Sequence, residues 1–271
     1  MKSQLSSTKF YKRWFNHKSW LNRASKCTAL VRGGFNYFPV QSLPDVNIQL
    51  PLSTHRHFWS GLHKDKHLLQ FLREAIPTDG VFFDIGANVG LYSTTMWLAK
   101  DEKIKISAFE PISSTVAELR KTFALNKVDA RIESVALSSE AGELVLSAYE
   151  QGANNFWIKN PEGNNSPTIS VPKMRLDDWC VRNPDWIPNA MKIDVEGHEL
   201  EVLKGAQQIL KTHKPALVVE CHCASWADLE ISPTEFIKFI HSLGYAKLHD
   251  AYGRTINFET QASTIHLLCS P

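Results

Sequence analysis

From Val81 onward, short apolar runs alternate with stretches in which apolar residues recur every three or four positions. Runs of four to six apolar residues read as buried strands, and the slower rhythm between them reads as helices covering a parallel sheet. Val81–Ile85, Ile104–Phe109, Arg131–Val135, Ala190–Asp194 and Ala216–Cys221 predict five strands. Tyr245–His249 and Thr264–Cys269 predict two more, close in sequence and paired antiparallel. Between them, Leu91–Lys100 predicts a helix. A second opens at Thr115-Val116-Ala117-Glu118, which fits a capping box. Leu200, Leu203, Ala206 and Leu210 share one face of a third, and Ser232-Pro233-Thr234-Glu235 starts a fourth. Seven strands in this alternation describe an α/β chain with a doubly wound, Rossmann-like sheet.

Two regions depart from that rhythm. Residues 140–190 carry an extra hairpin, Glu143–Ala148 with Thr168–Val171, around the turn-rich Asn160–Asn165. This insertion reads equally as a connector or as a lid facing the substrate. Residues 1–75 form an N-terminal cap segment, distinct from a main domain over 76–271. Within it, Gly33-Gly34, Pro39, Pro44 and Pro51 break regular structure, and Asp65–Ala75 predicts a helix.

Charge sharpens the division. Residues 1–44 hold eight Lys or Arg and no acid, so all 28 acidic residues follow Pro44, although the net charge of the chain is only +2. Phe10, Tyr11, Trp14, Phe15 and Trp20 interleave with those cations. Three partners suit such a segment: the cofactor cleft it closes over, an anionic acceptor or membrane surface, and, least favoured, nucleic acid. A solvated face without a partner suits it equally well. There is no apolar run of about 18 residues and no apolar core of a secretory signal at the start. The five cysteines are scattered, as expected of free thiols in a reducing compartment, and a cytoplasmic location follows as the expectation.

The sharpest local signal is Asp84-Ile85-Gly86-Ala87-Asn88-Val89-Gly90, where the first main strand turns into its helix. Glycines there let a ligand approach the backbone, and the helix start offers unpaired N–H groups. The spacing differs from Gly-x-Gly-x-x-Gly, which disfavours an NAD-dependent dehydrogenase. Asp84 at the strand mouth suits an ammonium group better than a pyrophosphate. Glu110, at the end of the second strand and followed by Pro111, stands where an acid accepts hydrogen bonds from both ribose hydroxyls. Ala136 follows the third strand, positioned to flank an adenine. S-adenosylmethionine, with an amino acid end, a sulfonium and no phosphate, fits this set.

Three stretches, Phe83–Ser93 (FDIGANVGLYS), Ala108–Pro111 (AFEP) and Lys192–Ala206 (KIDVEGHELEVLKGA), resemble the FkbM family of methyltransferases. Weaker echoes are Leu176-Asp177-Asp178 and Val218–His222. The resemblance implies a seven-stranded methyltransferase fold, S-adenosylmethionine as cofactor, and O-methylation of sugars or polyketide-type products. It carries the cofactor role to Asp84, Gly86, Asn88, Gly90 and Glu110. Ala87, Pro111 and Ala136 join them from their places in the loops. The acceptor, a small molecule or glycan, stays open, as does the oligomeric state.

Methyl transfer to oxygen needs an aligned acceptor and a group to take its proton, and a general base typically contributes ~100- to 10,000-fold. Asp194-Val195-Glu196-Gly197-His198-Glu199 lies at the carboxyl edge of the sheet, and Glu220 and His222 share one face of the next strand. Asp194, Glu196, His198, Glu220 and His222 are therefore the candidate catalytic residues, with His198 or His222 as the base. Glu196 and Glu199 also read as ordinary helix-start residues. A divalent ion on Asp194, Glu196, Glu220 and His222 is the lesser reading, so no residue is assigned to a metal and the need for one stays open. The competing functions are methylation of RNA, protein or a nitrogen acceptor, and a non-catalytic cofactor-binding interaction module. The Asn-Pro-Pro-Tyr type of signature of nitrogen methylation is absent after the fourth strand, which favours oxygen.

Overall fold

The computed structural model describes residues 35–40, 43, 45–51, 66–148, 156–157, 168–226, 229–254, 256 and 264–270. The basic aromatic segment within residues 1–34 and the turn at Asn160–Asn165 lie outside the described residues. The elements begin with β1 (Phe35–Pro39), β2 (Asn47–Pro51), α1 (Lys66–Ala75), β3 (Val81–Ile85), α2 (Leu91–Ala99) and β4 (Lys105–Phe109). Then come α3 (Ser113–Asn126), β5 (Ala130–Glu133), β6 (Ala136–Leu137), β7 (Gly142–Ala148), β8 (Phe156–Trp157), β9 (Thr168–Met174) and α4 (Leu176–Arg182). The last part runs β10 (Ala190–Ile193), α5 (Glu199–Gly205), α6 (Gln207–His213), β11 (Ala216–Cys221), α7 (Cys223–Trp226), α8 (Pro233–Ser242), β12 (Lys247–Asp250) and β13 (Ile265–Ser270).

The main sheet has seven strands in the order β12-β13-β11-β10-β3-β4-β5. β11, β10, β3, β4 and β5 are parallel, and β13 runs antiparallel to both β11 and β12. The chain builds outward from β3 through β4 to β5, then returns to the other side of β3 with β10. That reversal parts the loops after β3 and β10, and ligands of open α/β sheets enter at such a point. Alternation along β3 sends Phe82 to one face and Phe83 and Ile85 to the other. Phe82 packs with Leu68, Leu72, Met96 and Val218. Phe83 packs with Phe109, Trp179, Met191 and Leu203. Both faces of the sheet are thus covered, which is why its strands are almost wholly apolar.

Several local expectations change in the structure. Helix α3 starts at Ser113 with Ile112 as its cap and no side-chain cap bond, so the box at Thr115–Glu118 does not form. The Ile112 N–H is instead held by Glu110 Oε1 at 3.0 Å, which brings the chain into helix as soon as Pro111 is passed. The single helix expected after β10 is two, α5 and α6, parted at Ala206. At Gly205 a side chain would run into the Ser138 carbonyl, so the close approach of β6's exit sets where the break falls. Ser232 and Pro233 do occupy the cap and first position of α8, without a side-chain cap bond.

The described part of the proline-marked region before α1 is a ribbon in which β1 and β2 pair antiparallel from Phe35↔Pro51 to Pro39↔Asn47, while Gly33-Gly34 and Pro44 lie outside the described residues. Pro39 and Pro51 sit at strand ends, where a missing N–H costs a two-stranded ribbon little. Ile48 and Leu50 of β2 join the same core as α1 and α2. Asn126 at the end of α3 clasps β2, accepting from Gln49 N–H and donating to Gln49 C=O, both at 2.7 Å.

The inserted hairpin is present as β7 against β9 and belongs to a second sheet in the order β6-β9-β7-β8. Its inner face carries Leu146 and Val171, packed with Ala136 of β6 on Ile112 at the start of α3. Among the described residues, no helix is long and apolar enough to cross a membrane.

Candidate functional site

The loop from β3 to α2 uses three left-handed residues, Gly86 (φ 73°), Asn88 (φ 50°) and Gly90 (φ 81°). At Gly86 a side chain would strike the Asp194 carbonyl, and at Gly90 it would strike Leu119 and Phe123. The glycines are therefore needed for packing as well as for backbone conformation. Gly86 and Ala87 donate their N–H groups to the Phe109 carbonyl at 3.0 Å, tying the loop to the end of β4. Glu110 follows directly. Its Oε2 accepts from Asn88 N–H and its Oε1 from Ile112 N–H, both at 3.0 Å. Burial pushes its pKa up to about 7, against the opposing pull of those two donors and of Lys192.

A cleft opens beside this loop. Gly86, Asn88, Glu110, Pro111 and Ala136 line it, five of the eight residues expected to meet a cofactor. The other three stand behind its wall. Asp84 is wholly buried, and its Oδ2 accepts from Ser93 N–H at 3.0 Å and Ser93 Oγ at 2.7 Å. Its carboxylate fixes the start of α2, a role the sequence reading did not assign to it. Ala87 packs with Ala108, Leu119 and Phe123, the side chains on which Gly90 also closes. Leu144 and Leu146 of the inserted sheet add an apolar wall to the cleft.

The same cleft is lined by Asp194, Glu196 and His198. Past β10 the chain turns through Glu196 (φ 54°) and Gly197 (φ 106°), so a glutamate is held in left-handed backbone. Strain of that kind gathers at working sites. His198 caps α5, and its Nε2 lies 3.0 Å from Ser138 Oγ. Burial lowers its pKa, so the ring is neutral near pH 7. Glu196 does not cap the helix; Glu199 reaches back instead, accepting from Gly197 N–H at 2.9 Å.

Glu220, on β11, and His222, just past its end, do not line the cleft but stand against the residues that do. His222 Nδ1 is 2.8 Å from Glu199 Oε1, and Nε2 faces Glu196 Oε2 at 3.3 Å. Nε2 is also 3.9 Å from Asp194 Oδ1 and 3.9 Å from Glu220 Oε1. Burial opposes charge on this ring, yet the surrounding carboxylates, Glu199 foremost, raise its pKa to about 9. Burial raises the carboxyls of Glu196 and Asp194. Burial works the same way on Glu220, but His266, Lys192 and His222 outweigh it and bring that group to about 2. Of the two candidate bases, the structure thus makes His198 the neutral one and His222 the charged one.

Two participants escaped the sequence reading. Lys192 is buried mid-strand, 3.1 Å from Asp194 Oδ2 and 3.7 Å from Asp84 Oδ1, and donates to the Gly86 carbonyl at 3.1 Å. Burial disfavours its charge, but Asp194, Asp84 and Glu220 hold its pKa above the ordinary value. A lysine inside an otherwise apolar strand was the available signal. Glu199, read as a helix-start residue, is wholly buried and is the group that orients His222. Among the described residues, Asp194, Glu220 and His222 bring ligand atoms close enough to share one metal ion.

The glycine loop, the acid after β4 and the acid–imidazole turn after β10 therefore lie along one cleft, and the methyltransferase FkbM domain matches residues 84–246. The chain belongs to the FkbM methyltransferase-domain family. Similar proteins include the hexuronic acid methyltransferase AglP of Haloferax volcanii, 27% identical over 161 residues, 59% of this chain and 64% of that protein. Methyltransferase sdnD of Sordaria araneosa is 30% identical over 163 residues, 49% of this chain and 62% of that protein. The 2-O-methyltransferase NoeI of Sinorhizobium fredii is 27% identical over 174 residues, 57% of this chain and 70% of that protein. The matches span less than two thirds of the first two relatives' lengths.

Proposed function

We propose that this chain is an S-adenosylmethionine-dependent O-methyltransferase acting on a hydroxyl of a sugar, glycolipid, polysaccharide or polyketide-like acceptor. The observation that carries the reading is that Gly86, Asn88 and Glu110 line the same cleft as Asp194, Glu196 and His198. The residues fit the cofactor. Glu110 offers an acceptor pair for ribose hydroxyls, since each oxygen keeps a lone pair beyond its backbone donor. Ile112 and Ala136 present apolar faces on either side of an adenine, and the carboxylates near Asp194 suit an ammonium group and a sulfonium. The acceptor class rests on relatives named for a hexuronic acid and a 2-O position.

When bound, the cofactor supplies a methyl group on a positively charged sulfur. The protein's own work is to align the acceptor oxygen with that methyl and to receive its proton. Holding two reactants in line is worth several kcal/mol. His198 receives the proton in this reading, because it is neutral and lies on the cleft wall. Asp194 and Glu196 hold the acceptor's remaining hydroxyls, while His222 and Glu220 set the carboxylates from behind.

Calorimetric titration of S-adenosylmethionine and of NAD into the folded protein tests this directly. S-adenosylmethionine alone is expected to bind, with affinity falling at least tenfold in Glu110→Ala. A folded protein that binds neither ends the methyltransferase reading.

A further inference from the structure

The cluster behind the acceptor end is built more like a ligand set than like a set of internal ion pairs. Asp194 and Glu220 each have one oxygen pinned: Asp194 Oδ2 by Lys192, two residues earlier on β10, at 3.1 Å, and Glu220 Oε2 by His266 of the neighbouring β13 at 3.2 Å. The other oxygen of each, Asp194 Oδ1 and Glu220 Oε1, is directed at His222 Nε2 from 3.9 Å. His222 is turned the same way, because Glu199 engages Nδ1 at 2.8 Å and leaves Nε2 facing inward. One oxygen from each acid and one nitrogen thus lie within 4.8 Å of one another. Ligands of an octahedral Mg²⁺ ion, each about 2.0–2.1 Å from it, are about 3 Å apart when adjacent and about 4.2 Å apart when opposite, and the 3.9 Å separations here fall in that range.

Two further features point to a cation. Metal-bound histidines ordinarily give their second ring N–H to a carboxylate, the part Glu199 takes here. Glu199 is itself wholly buried, and its Oε2 has no hydrogen-bond partner among the described residues. With Glu196 Oε2 only 3.3 Å from Nε2, the pocket gathers four carboxylates around one imidazole. A dication that displaces the Nε2 proton compensates that excess of negative charge better than the protonated ring does.

We propose that Asp194, Glu220 and His222 form a site for a divalent cation of the Mg²⁺ or Mn²⁺ class, with Glu199 positioning His222. Hard oxygen donors and one imidazole suit these ions, and three protein ligands leave about three octahedral positions for oxygens of water or acceptor. An ion there stands beside Asp194 and Glu196 on the cleft wall, where it lowers the pKa of a coordinated acceptor hydroxyl. An acceptor with two neighbouring oxygens, as on a sugar ring, fills two of those positions. This use of the ion rests on the function proposed above; the binding of the ion does not.

The test is an Mn²⁺ titration of chelator-treated full-length protein, followed by electron paramagnetic resonance. One ion per chain is expected, with a nitrogen coupling from the His222 ring in the pulsed spectrum. His222→Ala should abolish that coupling. Glu220→Gln and Asp194→Asn should each weaken binding at least tenfold, and Glu199→Gln by about 10- to 100-fold. Calorimetry with S-adenosylmethionine on the same samples reports folding and the cofactor site separately. Wild-type protein that binds S-adenosylmethionine but no Mn²⁺ at millimolar concentration overturns the cation site alone. So does Mn²⁺ binding of unchanged affinity and without nitrogen coupling, whichever variant is used.

Discussion

Glu110 shows how one carboxyl joins burial, protonation and binding. Its pKa is raised from 4.5 to about 7, so the folded chain holds this proton more tightly than the unfolded chain. The group therefore costs stability progressively as pH rises from 4.5 through 7. Ribose hydroxyls favour the charged form, so cofactor affinity moves the opposite way. Calorimetry at pH 6 and pH 8 should find S-adenosylmethionine binding about tenfold tighter at the higher pH, where the carboxylate is mostly ionised. Glu110→Gln should bind weakly at both, and an equal pH dependence in that variant would assign the effect to another group. His198 gives a second residue-scale prediction. Its removal in His198→Ala should lower kcat ~100- to 10,000-fold while the dissociation constant for S-adenosylmethionine changes little. A loss in affinity without a loss in kcat would make it a binding residue. At this scale the residue type and its place at a strand end picked out Glu110, which lines the cleft. They did not show that the Asp84 carboxylate accepts from Ser93, a contact made only when α2 folds back on β3.

Among elements, the β1–β2 ribbon was the least legible. Its prolines read as breaks, because local propensity cannot see that they fall at the ends of a two-stranded pair. What holds the ribbon to the domain is Ile48 and Leu50 in a shared core and the two bonds from Asn126 to Gln49. Asn126→Ala leaves both Gln49 groups unpaired and should cost about 1–3 kcal/mol in chemical denaturation. The Gln49 amide should also exchange hydrogen faster, and unchanged protection there would show that β1 and the core suffice to hold β2. The inserted hairpin was visible as alternating apolar residues. Its place on the cleft was not, since only packing on Ile112 and Ala136 puts Leu144 and Leu146 there.

Over the whole molecule, the sheet separates two large cores, so substitutions in them should act independently. Leu72→Ala on one face and Leu203→Ala on the other should each cost ~2–5 kcal/mol. Their double variant should lose the sum to within about 0.5 kcal/mol, measured by denaturant titration. A clear departure from additivity would mean that the two faces communicate through the strands. The seven strands of the main sheet, its parallel body and the position of the glycine loop were all determined by the sequence alone. The period of apolar residues and the residues at strand ends are local properties, and the doubly wound arrangement follows from their alternation. The convergence of the acids and imidazoles was decided only by strand register. Pairing of Ile193 with Val219 brings Asp194 alongside Glu220, pairing of Lys192 with Asp84 sets one cation, and pairing of Glu220 with His266 sets the other. Register depends on side-chain packing across the whole sheet, between residues far apart in the chain, and no window of sequence contains it.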